Sequence, residues 1–199
     1  MTSTIEHALS EDARDLLFRD ARTANTFTDE PVSVEQVREV YELTKFGPTA
    51  ANTQPLRMLV VGPESRERLL PHMSDGNRAK TAAAPMVVVL AADVDFHDRM
   101  GEVFPHNPGA RDWWPDADSR ARAAVQNASI QAGYFITGVR AVGLSAGPMG
   151  GFDKPGLDAD LLAGTTWRSQ IVVNIGHPGP DAFRDRLPRL PFADVARVL

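Results

Sequence analysis

The strongest constraint on the fold is one long helical pattern over residues 118–142, whose second half is apolar on nearly every side. A helix with apolar residues all round must be covered by protein on several of its faces. In a chain of 199 residues, such a helix is either the central helix of the domain or the contact surface of a dimer, and both can hold. The sequence therefore predicts a fold built around this helix.

Three short apolar runs predict buried strands, at residues 58–61, 86–92 and 170–175. Two helices are predicted ahead of them, because Ser10 precedes two acidic residues and Ser33 lies at capping-box spacing from Gln36. Segments 104–116 and 147–160 are rich in Pro and Gly and are predicted to be long functional loops. With no internal repeat or linker, the pattern favours a single α+β domain over residues 1–199.

Composition and missing motifs exclude several classes of function. The net charge is −5 and the cations are scattered, so no nucleic-acid partner is expected. The chain has no cysteine, and its five histidines lack metal-site spacing, so neither thiol chemistry nor a metal is expected. Phosphate-loop, dinucleotide-fold and nucleophile-elbow motifs are missing. No apolar run has the length of a signal peptide or a membrane span, which predicts a cytoplasmic protein with no membrane partner.

Uncharged polar residues and cations instead recur in five separated blocks. They are Arg22-Thr23-Ala24-Asn25, PTAANTQP from Pro48, Asn77 to Lys80, PMGGFD from Pro148, and Arg184 to Arg186. Taken singly, each block has an ordinary interpretation, since an isolated arginine is usually a solvated surface residue and Asn52 is typical of a turn. The order of the five blocks along the chain is the informative observation.

That order resembles the flavin-dependent nitroreductase family, and it is most similar to the malonic semialdehyde reductase branch. The resemblance implies an α+β, nitroreductase-like fold with a central, mostly antiparallel sheet flanked by helices and a long buried helix at a homodimer interface. It implies FMN as cofactor, NADH or NADPH as electron donor, and ping-pong reduction of a small acceptor such as malonic semialdehyde. Two alternatives stay open: a general nitro or quinone reductase, and a non-catalytic flavin-binding protein.

FMN makes three demands on the residues of these blocks. Its phosphate favours guanidinium groups, for which Arg22, Arg184 and Arg186 are the candidates. The pyrimidine edge of the ring needs an amide, which Asn77 can supply. The reduced ring gains negative charge that a nearby cation stabilises. Lys80, three residues after Asn77 on the same helical face, fits that role.

The remaining assignments follow from the resemblance. The backbone N–H of Gly150 is implied to approach flavin N5, and no catalytic side chain is expected because the flavin carries the chemistry. Gly150 stands where many family members have Glu, and Leu56 stands where they have Trp. Further cofactor contacts are implied for Thr23, Asn25, Pro48, Thr49, Ala50, Asn52, Gln54, Met149 and Gly151, with Pro48, Thr49 and Ala50 reaching the partner's flavin.

Substrate contacts are predicted for three further residues. A carboxylate on the acceptor needs a cation near the flavin, and Arg111 and Arg168 are the candidates. Trp113, with its neighbour Trp114, is predicted to form an apolar wall or lid over the ring, with packing of the loop as the alternative role.

Overall fold

The computed structural model describes residues 8–199. Residues 1–7 of the predicted domain, which include His7, lie outside this range. The described residues contain four strands and eight α-helices, in the order α1 (Glu11–Arg14), α2 (Val34–Thr44), β1 (Leu56–Val61), α3 (Arg66–Leu69), α4 (Asp75–Ala82), β2 (Met86–Asp93), α5 (Met100–Val103), α6 (Ala117–Ala141), β3 (Ser145–Met149), α7 (Lys154–Leu161), β4 (Trp167–Gly176) and α8 (Phe192–Val195).

The four strands form one sheet in the order β1-β2-β4-β3, and every neighbouring pair is antiparallel. This arrangement confirms the α+β fold with an antiparallel sheet. The two central strands, β2 and β4, are the ones that the longest apolar runs predicted. Alternate residues of β2 face two different cores, because Val88 packs with α2 and α6 whereas Val87 packs on the opposite face with α3 and α7. A strand covered on both faces is apolar at every position.

The prediction of a long loop over residues 147–160 is wrong. This segment contains the end of β3 and all of α7 except its last residue, Leu161. The sequence of β3 includes Gly147 and Pro148, which argue against a strand. The strand forms nevertheless because β3 lies at the edge of the sheet, where Pro is tolerated. Gly147 is required there because a Cβ would lie 2.6 Å from the Ala24 carbonyl oxygen.

The long helix is confirmed as α6. Asp116 caps its N-terminus with a capping box, accepting a hydrogen bond from the Ser119 backbone N–H at 2.7 Å. One face of α6 is buried in the core through Ala132, Phe135 and Val139. Another face exposes apolar side chains, and Tyr134 is 46% exposed. Residues 8–199 therefore cover only part of the apolar surface of α6.

Segment 104–116 is partly ordered by local structure, contrary to the prediction that it is too irregular for any element. Residues Pro108–Trp113 form a 3₁₀ helix. The ring of Trp114 packs edge-on against Phe96, with 4.9 Å between ring centroids, and Phe96 is fully buried. Trp114 is therefore a packing residue, and the segment is attached to the core at this point.

Candidate functional site

Segments from the two ends of the described chain meet beside β3. Ala24 donates from its backbone N–H to the Ala146 carbonyl oxygen at 3.0 Å, and Asn25 donates to the Ala182 carbonyl oxygen at 2.9 Å. Between these segments lies a pocket of about 370 Å³, which we call the arginine pocket. Its lining includes three of the predicted cations, together with two that the sequence analysis did not select: Arg22, Arg184, Arg186, Arg140 and Arg189. Thr23, Asn25 and one acidic residue, Asp185, also line it.

The arginines of the arginine pocket differ in their hydrogen-bond partners. Arg186 donates to the carbonyl oxygens of Arg19 and Ala21 and so joins the C-terminal segment to the N-terminal one. The Nε of Arg22 is buried and has no hydrogen-bond partner among the described residues. Burial also lowers the pKa of Arg140. Buried guanidinium N–H groups without acceptors are costly, and an anion with several oxygens would satisfy them. The pocket therefore fits a phosphate monoester.

The predicted flavin N5 contact lies in the turn that follows β3. The carbonyl oxygen of Gly151 accepts three hydrogen bonds: from the Ser74 backbone N–H at 3.2 Å, from Ser74 Oγ at 2.8 Å and from Asn77 Nδ2 at 2.9 Å. A Cβ at Gly151 would lie 2.7 Å from Asn77 Nδ2, whereas a Cβ at Gly150 would meet no heavy atom within 4 Å. The turn is thus held firmly at Gly151 and open at Gly150. Ser74, which the sequence analysis missed, is part of this support.

Helix α4 places Asn77 against this turn, and Lys80 follows three residues later on the same helical face. The buried Asn174 of β4 fixes the helix, since its Nδ2 donates to the Lys80 carbonyl oxygen at 3.2 Å. Because Asn77 uses its NH₂ group on Gly151, its Oδ1 is left to accept a hydrogen bond. This acceptor suits the ring N–H of a flavin pyrimidine edge. The amide orientation follows from the hydrogen-bond network.

Strand β3 connects the arginine pocket to the Gly150 turn. Ala146 contacts the segment that carries Arg22, and Gly150 lies four residues further along. At the usual rise of a strand, these positions are ~13 Å apart. Met149, at the end of β3, directs its side chain into the core, where its Sδ lies 3.9 Å from Thr81 Oγ1. Any cofactor contact of Met149 would therefore involve its backbone.

The loop that begins at Pro48 is held against α6 by two buried amides. Asn127 Oδ1 accepts from the Ala50 N–H at 2.7 Å, and Gln131 Oε1 accepts from the Leu56 N–H at 3.0 Å. Asn127 and Gln131 are four residues apart, so their side chains lie on the same face of α6. Two amides at this spacing in an otherwise apolar helix are visible in the sequence, but neither was predicted as a site residue.

The same loop has an unusual backbone. Ala51, Asn52 and Gln54 have φ angles of 48°, 53° and 43°. Such conformations cost about 1–3 kcal/mol each for residues other than glycine, and they concentrate at functional sites. Two side-chain hydrogen bonds maintain them: Asn52 Nδ2 donates to the carbonyl oxygen of the distant Val103 at 2.7 Å, and the Gln54 N–H donates to Thr49 Oγ1 within the loop at 3.2 Å. The loop is thus built to hold one shape.

The three predicted substrate residues do not line the arginine pocket. Arg111 pairs with Asp98 at 2.6 Å on the surface, and Arg168 donates to the carbonyl oxygen of its neighbour Trp167 at 2.8 Å. Trp113 is 53% exposed. A second pocket of about 350 Å³ lies beside the Pro48 loop, with a lining that includes Tyr41, Gln54, Arg57, Arg99 and Val103.

Residues 8–199 contain neither a metal-site cluster nor a membrane-spanning helix. No group of three or more His, Asp or Glu side chains there has the arrangement of a metal site. No helix there combines the length and apolarity needed to cross a bilayer.

Comparison with known proteins gives a consistent result. Residues 19–177 match the model of the Nitroreductase family. A protein of Streptomyces coelicolor described as an NADH dehydrogenase/NAD(P)H nitroreductase is 55% identical over 94% of this chain and 96% of its own length.

Solved structures share the fold. A nitroreductase of Bacillus subtilis has a TM-score of 0.83 at 20% identity, covering 92% of this chain and 97% of its own. A nitroreductase of Exiguobacterium sibiricum in complex with FMN has a TM-score of 0.81 at 19% identity, covering 98% and 100%. With the family match spanning most of its length and a close relative matching nearly all of it, this chain belongs to the nitroreductase family.

Proposed function

We propose that the protein is an FMN-dependent oxidoreductase that takes electrons from NADH or NADPH and passes them to a small acceptor. The observation that carries this proposal is the arginine pocket, joined by one strand to the open Gly150 turn. In this pocket Arg22 Nε has no hydrogen-bond partner among residues 8–199. This arrangement suits a ligand with a phosphate at one end and a planar ring at the other. The structurally similar Exiguobacterium protein, which was solved in complex with FMN, supports the cofactor. The Streptomyces relative, described as an NAD(P)H nitroreductase, supports the electron donor.

The chain's own residues would bind and orient the cofactor. Arg22, Arg184 and Arg186 would hold the phosphate by charge-assisted hydrogen bonds. Asn77 Oδ1 would accept from the ring N–H, and the Gly150 N–H would face N5. FMN, when bound, supplies reversible two-electron transfer between donor and acceptor.

Three further contacts would shape the site. The ammonium of Lys80 would stabilise negative charge on the pyrimidine side of the ring. The hydrogen bonds of Ser74 and Asn77 to Gly151 would keep the turn in place. The rigid Pro48 loop, through Thr49 and Ala50, would complete the site of a partner subunit.

For the acceptor, we propose malonic semialdehyde, reduced to 3-hydroxypropionate. The order of the sequence blocks supports it. Its carboxylate would need a cation near the flavin, and Arg111 and Arg168 are the predicted candidates for that contact. A general nitro or quinone reductase is the second candidate, favoured by the description of the Streptomyces coelicolor relative as an NAD(P)H nitroreductase.

A steady-state comparison of three acceptors tests this proposal. Malonic semialdehyde, a quinone and a nitroarene are each supplied under argon with NADH or NADPH. We expect turnover with all three and the highest kcat/KM for the aldehyde. A higher kcat/KM for the quinone or nitroarene, with no aldehyde turnover, would instead establish the second candidate.

We also propose that the protein is a homodimer formed through α6. An open apolar pocket of about 560 Å³ lies on the uncovered face of this helix, lined by Phe18, Ile130, Gly133, Tyr134 and others. Phe18 is 59% exposed and Ile130 is 41% exposed. Contiguous exposed apolar surface of this kind marks protein contacts. Large apolar side chains of the C-terminal segment, including Leu187, Leu190 and Phe192, are also more than 70% exposed.

The variant Ile130→Asp tests the dimer. Ile130 lies on the exposed face of α6, so a charge there leaves the core of the subunit intact. We expect sedimentation to give a dimer for the wild type and a monomer for the variant at the same concentration, because an unpaired buried carboxylate is strongly unfavourable. A monomeric wild type, or an unaffected variant, would contradict the α6 interface.

A further inference from the structure

Arg140 lies in the last turn of α6, which stops at Ala141 shortly before Gly143 with its φ of 83°. The side chain is half-buried and lines two adjoining pockets, both of which Arg22 also lines. A cation is favourable near the C-terminus of a helix, because the last carbonyl groups carry partial negative charge. That effect accounts for a basic residue at this end of α6, but it does not account for its position beside four other arginines.

Arg140 has no acidic partner within the described part of the chain. No ion pair and no side-chain hydrogen bond involves its guanidinium there, and burial lowers its pKa with no opposing contribution from a carboxylate. The charged residues that line the two pockets with it are four arginines and two acids, none of them ion-paired with Arg140 among residues 8–199: Arg22, Arg184, Arg186, Arg189, Asp185 and Asp20. A partly desolvated cation among like charges is unfavourable unless an anion enters the pocket.

We infer that Arg140 binds the phosphate of FMN, as a cation contributed by the C-terminal end of α6 to the site that Arg22 forms. This inference rests on the proposed function. It adds a phosphate contact from α6 to the contacts proposed for Arg22, near one end of the chain, and for Arg184 and Arg186, near the other. It also joins the cofactor phosphate directly to the helix that we propose as the dimer interface.

Flavin binding tests this inference without any measurement of turnover. FMN and riboflavin are titrated into the flavin-free full chain, and flavin fluorescence gives the Kd of each. Riboflavin lacks the phosphate, so the ratio of the two Kd values reports the phosphate contact alone. For Arg140→Met, which keeps an apolar stem, we expect FMN to bind ~10–100-fold more weakly, with riboflavin unchanged. Arg122→Met, at an exposed position of the same helix, is the matched control and should match the wild type.

The outcomes separate this inference from the proposed function. If Arg140→Met keeps the wild-type ratio of the two Kd values, Arg140 does not bind the phosphate, although the FMN site stands. If the wild type itself binds FMN and riboflavin equally well, the phosphate assignment of the whole pocket fails. Should circular dichroism show that Arg140→Met is unfolded, Arg140→Gln replaces it in the same titration. We expect the same change in the ratio of the two Kd values, because glutamine keeps a polar end but lacks the positive charge and the paired N–H donors of the guanidinium.

Discussion

Replacing Arg66 with methionine is expected to lower the free energy of unfolding by about 2–4 kcal/mol. Arg66 is only 4% exposed. Its guanidinium donates to four backbone carbonyl oxygens around the turn into β2, those of Val61, Ala82, Ala84 and Pro85. Burial lowers the pKa of Arg66, which shows that burying its charge is unfavourable. The hydrogen bonds to the four carbonyl groups offset that cost. Methionine fills much of the volume but donates no hydrogen bond.

Urea unfolding followed by circular dichroism measures this effect. Arg68→Met is the matched control, since Arg68 lies in the same short helix but is exposed and pairs with Asp160 at 2.9 Å on the surface. Exposed ion pairs contribute about 0–1 kcal/mol, so the control should be little affected. Equal losses for the two variants would show that the carbonyl contacts of Arg66 do not stabilise the fold.

Replacing Arg22 with methionine is expected to release FMN while leaving the fold intact. The loss should be roughly 100-fold in affinity, near the upper end of a charge-assisted contact, because its Nε is buried and no group within residues 8–199 accepts a hydrogen bond from it. The same lack of a partner means that its removal breaks no internal bond through Nε. Arg186 is a less specific choice, since its substitution also frees the carbonyl oxygens of Arg19 and Ala21.

The flavin content of Arg22→Met after gel filtration checks this prediction, with the urea midpoint as the measure of folding. We expect a colourless, fully folded variant beside a yellow wild type. A variant that keeps its flavin would exclude Arg22 from the phosphate site. A variant with a lower urea midpoint than the flavin-free wild type would show instead that Arg22 is part of the folding core; the flavin-free wild type is the reference because bound FMN itself raises the midpoint.

The elements that could be predicted from the sequence are those in which local pattern and burial agree. The run in β2 is apolar at every position because both of its faces are covered, and α6 is long and capped by Asp116. Strand β3 was missed because Gly147 and Pro148 are favourable only at the edge of a sheet, and an edge is a property of the assembled fold. The extent of a single domain over residues 1–199 stays a prediction.

The candidate site was predicted mainly through the order of its blocks. Arg22, Arg184 and Arg186 were grouped by resemblance, and the structure brings all three to one pocket. Spacing alone could not do so, because more than 150 residues separate Arg22 from Arg184. Ser74 and Arg140 belong to none of the blocks, and only the packing of α4 and α6 reveals their positions.

The most direct test of the central claim is an anaerobic titration of the FMN-reconstituted protein, followed by its visible absorbance. We predict that NADH or NADPH bleaches the flavin bands, that buffer alone does not, and that an acceptor added under argon restores them. A protein that stays colourless after incubation with FMN, or a bound flavin that neither donor bleaches, would contradict the claim that this chain is a flavin-dependent NAD(P)H oxidoreductase.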